Sequence, residues 1–285
     1  MRVFFWAPAT SKPTGGIANY FALAQTLREL GYEASVVSDD GLGTWYLPPD
    51  IDGTWRTQRE VSLAADDVVV TPEWWQHVVE DIQPARLLPY VQFPVTNTYQ
   101  GLVMALSSYC ANVARDQGGE PYLVERILTP FWQRPEREER AGVLMLPLKN
   151  GWQHMISVAT ALHDAGLDVT IADRYNTAQE LRALLWRHEV FVALSYPEGL
   201  DMISQEAMAC GCLVAAFDGG GRRDYLQHQV TGWMAENGDE ARLVEGVHWL
   251  LANRAVAENA AAAIEHYRPA TARAQIAALA AGLDG

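Results

Sequence analysis

Ser195 to Asp224 reads SYPEGLDMISQEAMACGCLVAAFDGGGRRD, and this stretch decides the fold. It follows Val190 to Leu194 (VFVAL), a short apolar run with the length and β-branched content of a strand buried on both faces. The turn Pro197-Glu198-Gly199 opens a predicted helix from Met202 to Cys210, and Gly211 is the glycine that commonly follows a helix end. Leu213 to Phe217 reads as a second buried strand, running into Gly219-Gly220-Gly221, where a backbone without Cβ atoms can approach a phosphate. Strand, loop, helix, strand and glycine loop make one α/β unit. In an open parallel sheet the loops at the strands' carboxyl ends build the ligand crevice, and helix N-termini there favour anions.

Glu198 and Glu206 stand with seven residues between them in EGLDMISQEAMACG, ahead of a small-residue strand and a turn with Gly220, Gly221 and Asp224. This pattern resembles the donor-site signature of retaining GT-B glycosyltransferases of the family-4 (glycosyl transferases group 1) type. The resemblance implies an α/β fold of two Rossmann-like domains with parallel sheets facing a central cleft, the first holding an acceptor and the second a nucleotide-diphosphate sugar. It implies that Glu198 lies against the transferred sugar, that Gly199, Leu200 and Asp201 line the sugar or phosphate, and that Glu206 binds the ribose hydroxyls. A carboxylate is a strong paired acceptor for vicinal hydroxyls. Gly220 and Gly221 join the donor-binding set. The expected donor is a nucleotide-diphosphate sugar and the acceptor a carbohydrate or small molecule, with no cofactor and no catalytic metal.

The rest of the chain is consistent with two domains. With 285 residues and 49% hydrophobic content it can bury ample core. The net charge of −14 is shared, with 11 basic and 18 acidic side chains in residues 1–140 and 10 and 17 in 141–285, so neither half is a basic surface. Nucleic acid and anionic membrane, which need clustered Lys and Arg, are disfavoured partners. No apolar run spans a membrane and the N-terminus MRVFFWAPATSKP reads as a first strand rather than a signal peptide, so the expected location is cytoplasmic. Cys110, Cys210 and Cys212 are too few and too irregular for a disulfide framework or a zinc site and read as buried thiols.

In chain order, Val3 to Trp6 is a strand, and Gly15-Gly16 leads into a helix over Ile17 to Leu30. By the resemblance this GG pair lines the cleft near the donor phosphates. Glu33 to Ser38 is a strand, and Asp39 to Thr57 reads as mostly loop. Val68 to Val70 is a strand behind Asp66-Asp67, an acidic pair that is a poor metal site. Thr71-Pro72-Glu73 has the pattern of a helix start, with Thr as cap and Pro at the first position, and sets Glu73, Trp74 and His77 near the sheet's carboxyl edge as acceptor-side candidates. Trp75 shares the stacking role considered for Trp74. Gln133 to Arg140 has linker composition, which divides the chain into residues 1–140, 141–265 and a tail, 266–285, that in GT-B proteins crosses back to the first domain.

After strand Val143 to Leu146, Lys149 matches the lysine that in the family neutralises the donor diphosphate. It is one of two lysines, against 19 arginines, so a compact point charge is selected here. The family's neighbouring arginine is missing, which leaves Arg222, Arg223 and Arg174 as substitutes. The function implied is sugar transfer to an acceptor hydroxyl with retention, with Glu198 and Lys149 as the catalytic pair. The alternatives are a GT-B-fold nucleotide-sugar epimerase and a non-catalytic nucleotide-sugar-binding protein, the latter suggested by the missing arginine and the unusual Asp201-Met202-Ile203. A Rossmann oxidoreductase is disfavoured because no complete G-x-G-x-x-G occurs.

Overall fold

The apolar runs of the sequence become two all-parallel sheets. In the computed structural model, which describes residues 1–10, 14–39, 41–74, 86–135, 139–146, 150–172 and 177–284, the chain divides into two units. One is Met1–Thr129 with Tyr267–Gly285, and the other is Pro130–His266.

The first unit holds β1 (Arg2–Trp6), α1 (Gly15–Glu29), β2 (Glu33–Ser38), β3 (Trp55–Thr57), β4 (Val68–Pro72), β5 (Arg86–Val91), β6 (Gly101–Ala105), α2 (Ser108–Asp116) and β7 (Gly119–Leu123). The sheet order is β3-β2-β1-β4-β5-β6-β7, with Val3 paired to Ala34 on one side and Val68 on the other. β1 and β4 are buried almost throughout, as strands covered on both faces must be. The order reverses direction between β1 and β4, and the segments that follow those two strands carry Gly15-Gly16 and Glu73.

One local reading changes. Thr71 and Pro72 belong to a strand: β4 runs through both, paired to Pro89 and Tyr90 of β5, and the helix expected after them falls on residues outside those described. The passage from Asp39 to Thr57, read as mostly loop, ends in a parallel edge strand, Trp55–Thr57. Gly119–Leu123 forms the opposite edge, where Pro121 is tolerated because one side of the strand needs no ladder. Asp67 is a structural acid. Burial acts to raise its pKa, but the Arg2 guanidinium, 2.6 Å from Oδ2, and the Ala64 amide hold it below the usual carboxylate range.

The second unit holds β8 (Val143–Met145), α3 (Met155–Asp164), β9 (Val169–Ile171), α4 (Ala178–Arg187), β10 (Val190–Ala193), α5 (Met202–Ala209), β11 (Leu213–Phe217), β12 (Trp233–Ala235), α6 (Glu240–Ala252) and α7 (Val256–Glu265). Its order is β12-β11-β10-β8-β9, with the reversal between β10 and β8. Thr177 caps α4 and Asp239 caps α6 through their side-chain oxygens. Val158 and Leu162 of α3 and Leu243, Val247 and Leu250 of α6 pack with Met145, Val192 and Phe217 into one core. All three cysteines are buried and reduced, and burial pushes the Cys212 thiol up to about 12.

The chain then returns to the first unit through α8 (Pro269–Asp284). Arg273 pairs with Glu29 at 2.8 Å, Gln275 exchanges hydrogen bonds with Glu125, and Ile276, Leu279 and Ala280 line one apolar cavity with Val3, Phe5 and Val68. At the junction the Leu128 amide donates to the Tyr267 carbonyl at 2.8 Å and Arg268 donates to the Thr129 carbonyl at 3.0 Å. Among the described residues no helix is long and apolar enough to cross a membrane.

Candidate active site

Parallel strands deliver all their following loops to one edge. At that edge of the second sheet, the loops after β10 and β11 continue to pair beyond the strands. The Glu198 amide donates to the Gly219 carbonyl at 2.7 Å, and the Gly221 amide donates to the Glu198 carbonyl at 3.0 Å. The loop after β12 joins them, because Asn237 Oδ1 accepts the Gly219 amide at 2.9 Å. Gly151, after β8, has φ of +95° and lies so close to Leu194 that a Cβ would overlap its carbonyl. The strand-end loops are therefore stitched into one surface.

The Gly219, Gly220 and Gly221 amides each have an acceptor within the loops: Asn237, Asp218 and Glu198. The lack of a side chain at Gly221 serves close backbone packing, since a Cβ there would overlap the Gly199 carbonyl and sit 2.7 Å from the Leu200 amide nitrogen. Gly221→Ala should therefore part the two loops and destabilise the second unit by about 1–3 kcal/mol, the usual range for forced overpacking. Urea unfolding and amide exchange across 198–221 check this; unchanged exchange would show that the loops do not depend on each other.

Asp201 and Arg222 are also structural. Asp201 caps α5 from a left-handed conformation, φ 59°, that a non-glycine residue holds only when its surroundings impose it. Arg222, 0% exposed, imposes it: Nε donates to Asp201 Oδ2 at 2.6 Å, Nη1 to the carbonyls of Ser195 (2.7 Å) and Phe217 (2.8 Å), and Nη2 to Ser195 Oγ (2.9 Å). Ser204 bonds the same carboxylate, and the Tyr225 hydroxyl donates to the Asp201 carbonyl at 3.0 Å. Burial works against the Arg222 charge, but Asp201, Tyr225 and Glu198 outweigh it and its pKa lies above the ordinary value. The Arg222 guanidinium is thus not available to replace a missing phosphate-binding arginine. Arg223 pairs with Asp218, and Arg174 lies outside the described residues.

Of the donor-side candidates, Glu198, Gly199, Leu200, Asp201, Gly220 and Gly221 come together in the stitched loops. Glu206 follows on α5, the helix that this loop opens, and is only 8% exposed. Leu200 is buried, which leaves only its backbone for a ligand. Lys149 lies outside the described residues. In the first unit, Glu73 follows β4, is 1% exposed, and accepts the Gln92 amide at 3.1 Å; Gln92 Nε2 in turn reaches the Gly16 carbonyl at 3.5 Å. Glu73, Gly16 and Gln92 are thus gathered at the carboxyl edge of the first sheet. Gly15 and Gly16 form the first turn of α1. Trp74 is 50% exposed, whereas Trp75 and His77 lie outside the described residues.

Sequence reading missed a further chain of polar side chains. His154 Nδ1 is 2.6 Å from Glu240 Oε1, His154 Nε2 is 2.8 Å from the Tyr196 hydroxyl, and Ser157 donates to Glu240 Oε2. The Ser157 hydroxyl and the His154 ring together hold the Glu240 carboxyl below its ordinary pKa. Among the described residues no group of three or more His, Cys, Asp or Glu side chains is arranged to hold a metal ion.

Residues 151–253 match the family described as Glycosyl transferases group 1. A 94-residue stretch, 31% of the chain, is 38% identical to alpha-maltose-1-phosphate synthase of Mycobacterium tuberculosis, and it spans 24% of that relative's length. Over 99% of its residues the chain resembles sucrose-phosphate synthase from Thermosynechococcus elongatus, with a TM-score of 0.73, 12% identity and 99% of that chain covered. Anabaena Alr3699/HepE, crystallised in complex with UDP and glucose, is similar at a TM-score of 0.71 and 14% identity, with 99% of this chain and 100% of that one covered. A glycosyltransferase from Rickettsia africae is similar at 0.70 and 13%, with 99% and 98% covered. Likeness at such low identity is evidence of fold alone. The chain has the GT-B fold, two Rossmann-like units each built on a parallel sheet, and its residues 151–253 match group 1 of the glycosyl transferases.

Proposed function

We propose that the protein transfers a sugar from a nucleotide-diphosphate sugar to an acceptor hydroxyl with retention of configuration. The observation that carries this reading is the placing of Glu198 in the stitched loops at the ends of β10 and β11, with Glu206 on the helix those loops open, inside the segment that matches group 1. Glu198 faces the sugar and stabilises the positive charge that develops as the diphosphate departs. Glu206 accepts the ribose hydroxyls. Lys149 is assigned to the diphosphate from its sequence position, and Glu73 to the acceptor side from its burial at the edge of the first sheet.

A thermal-shift panel of UDP, GDP, ADP and dTDP sugars tests the donor class, because a ligand that binds only the folded protein raises its stability by mass action. Product analysis with the stabilising donor then separates transfer from epimerisation. Glu206→Ala should weaken that nucleotide by about ten- to a hundredfold, the worth of hydrogen bonds to a charged group. Turnover at saturation should change far less, since ribose contacts are alike in the ground and transition states. Unaltered affinity by calorimetry would remove Glu206 from the ribose site.

A further inference from the structure

The order of the second sheet reverses between β8 and β10, and at such a reversal the two following loops flank the ligand crevice. Among the described residues a side-chain contact joins those two loops, His154 Nε2 to the Tyr196 hydroxyl at 2.8 Å. Tyr196 lies two residues before Glu198. Successive side chains of an extended segment point to opposite faces, and the loop follows that rule: Ser195 turns to Arg222, whereas Tyr196 turns to His154 and Phe217. The loop bearing Glu198 is thus held from both faces, by a guanidinium on one and by an imidazole on the other.

His154 is itself fixed. Its Nδ1 faces Glu240, and since a carboxylate only accepts, that nitrogen carries the proton. With the ring neutral, Nε2 then accepts the Tyr196 hydroxyl. Glu240 is the first residue of α6, where the helix dipole favours a negative charge, and Ser157 donates to its other oxygen. His154 also meets the edge of Phe217, ring centroids 5.2 Å apart, so it cannot swing without disturbing the end of β11. The loops after β8, β10 and β12 are tied by this one chain of bonds.

We propose that Tyr196, His154 and Glu240 are positioning residues, which hold the loop carrying Glu198 in register across the reversal of the second sheet so that the carboxylate meets the sugar as it is transferred. The proposal rests on the glycosyl-transfer reading for its consequence, and on the hydrogen-bond chain alone for its mechanics.

Tyr196→Phe separates the two, because the ring keeps its packing on Phe217 and only the bond to His154 is lost. In the unliganded full chain, amide exchange at 198–200 and 219–221 should quicken in Tyr196→Phe while the amides of β10 and β11 keep wild-type rates. With whichever of UDP-glucose, GDP-mannose and ADP-glucose the wild type turns over, Tyr196→Phe should lower kcat by about ten- to a hundredfold, the cost of misplacing a reacting group by a fraction of an ångström to one ångström. Affinity for the nucleoside diphosphate should be unchanged. Glu240→Ala should behave like Tyr196→Phe and Glu240→Gln should recover much of the loss, because the amide oxygen still accepts from Nδ1. Exchange in Tyr196→Phe no faster than in wild type overturns the proposal whatever the protein transfers. Wild-type protein that neither binds nor turns over any of the three overturns the transfer reading for those donors, and the exchange comparison still decides whether the three residues hold the loop.

Discussion

Arg222→Met should destabilise the second unit by about 3–5 kcal/mol, because the arginine's removal leaves a buried carboxylate without its countercharge. The side chains of Arg222 and Asp201 are 0% and 3% exposed, so water cannot take the place of the guanidinium. The loss extends beyond the pair. The carbonyls of Ser195 and Phe217, where the chain leaves β10 and β11, lose their shared donor, and Asp201 loses what keeps it left-handed. Urea unfolding of the full chain, followed by exchange at β10 and β11 amides, measures the effect. Pairing the change with Asp201→Asn should restore only part of the stability: asparagine also caps helices and tolerates positive φ, and no buried charge remains, but the Ser195 and Phe217 carbonyls stay without the Arg222 donor. A loss under about 1 kcal/mol for Arg222→Met would mean that the buried pair does not govern the ends of these strands.

Glu198→Gln should lower turnover by about a hundred- to a thousandfold at saturating donor, the scale on which a placed electrostatic group acts on a developing charge. The substitution keeps the shape of the side chain. The Glu198 backbone is bonded to Gly219 through its amide and to Gly221 through its carbonyl, and neither bond depends on the carboxylate. Nucleoside diphosphate binding by calorimetry should therefore stay near wild type while kcat collapses. Wild-type turnover in the variant would take Glu198 out of the site.

The parts of this molecule that could be read from the sequence are those whose signal is local. VFVA and LVAAF are continuous apolar runs, and they became the buried neighbours β10 and β11. GEPYL and WRT carry polar residues, a proline or too few residues, because each lies at the edge of a sheet and has only one strand to satisfy. Thr71-Pro72 carries the pattern of a helix cap, but burial beside β5 makes both residues part of β4. Glu198, Glu206 and the glycine loop could be named as candidates because a loop, a helix, a strand and a turn that follow one another directly in residues 198–224 carry the pattern. The Arg222–Asp201 pair joins residues 21 apart, and the His154 contacts span 42 and 86, where no periodicity links the partners. The same distance effect hides the packing of Gly221, whose small size answers to Gly199 across the loop.

The junction at Leu128 and Tyr267 has a consequence for how the chain is made. The first unit is assembled from two separate pieces of chain, and the second is a single continuous insert between them. A ribosome reading from the amino end produces seven strands of the first unit early, yet Val3, Phe5 and Val68 remain without Ile276, Leu279 and Ala280 until the last helix has emerged. The insert meets no such delay, because every strand and helix it needs is synthesised between residues 130 and 266. Biosynthesis therefore runs against the numbering: the later unit can close first, and the earlier one waits with an apolar face of its sheet uncovered.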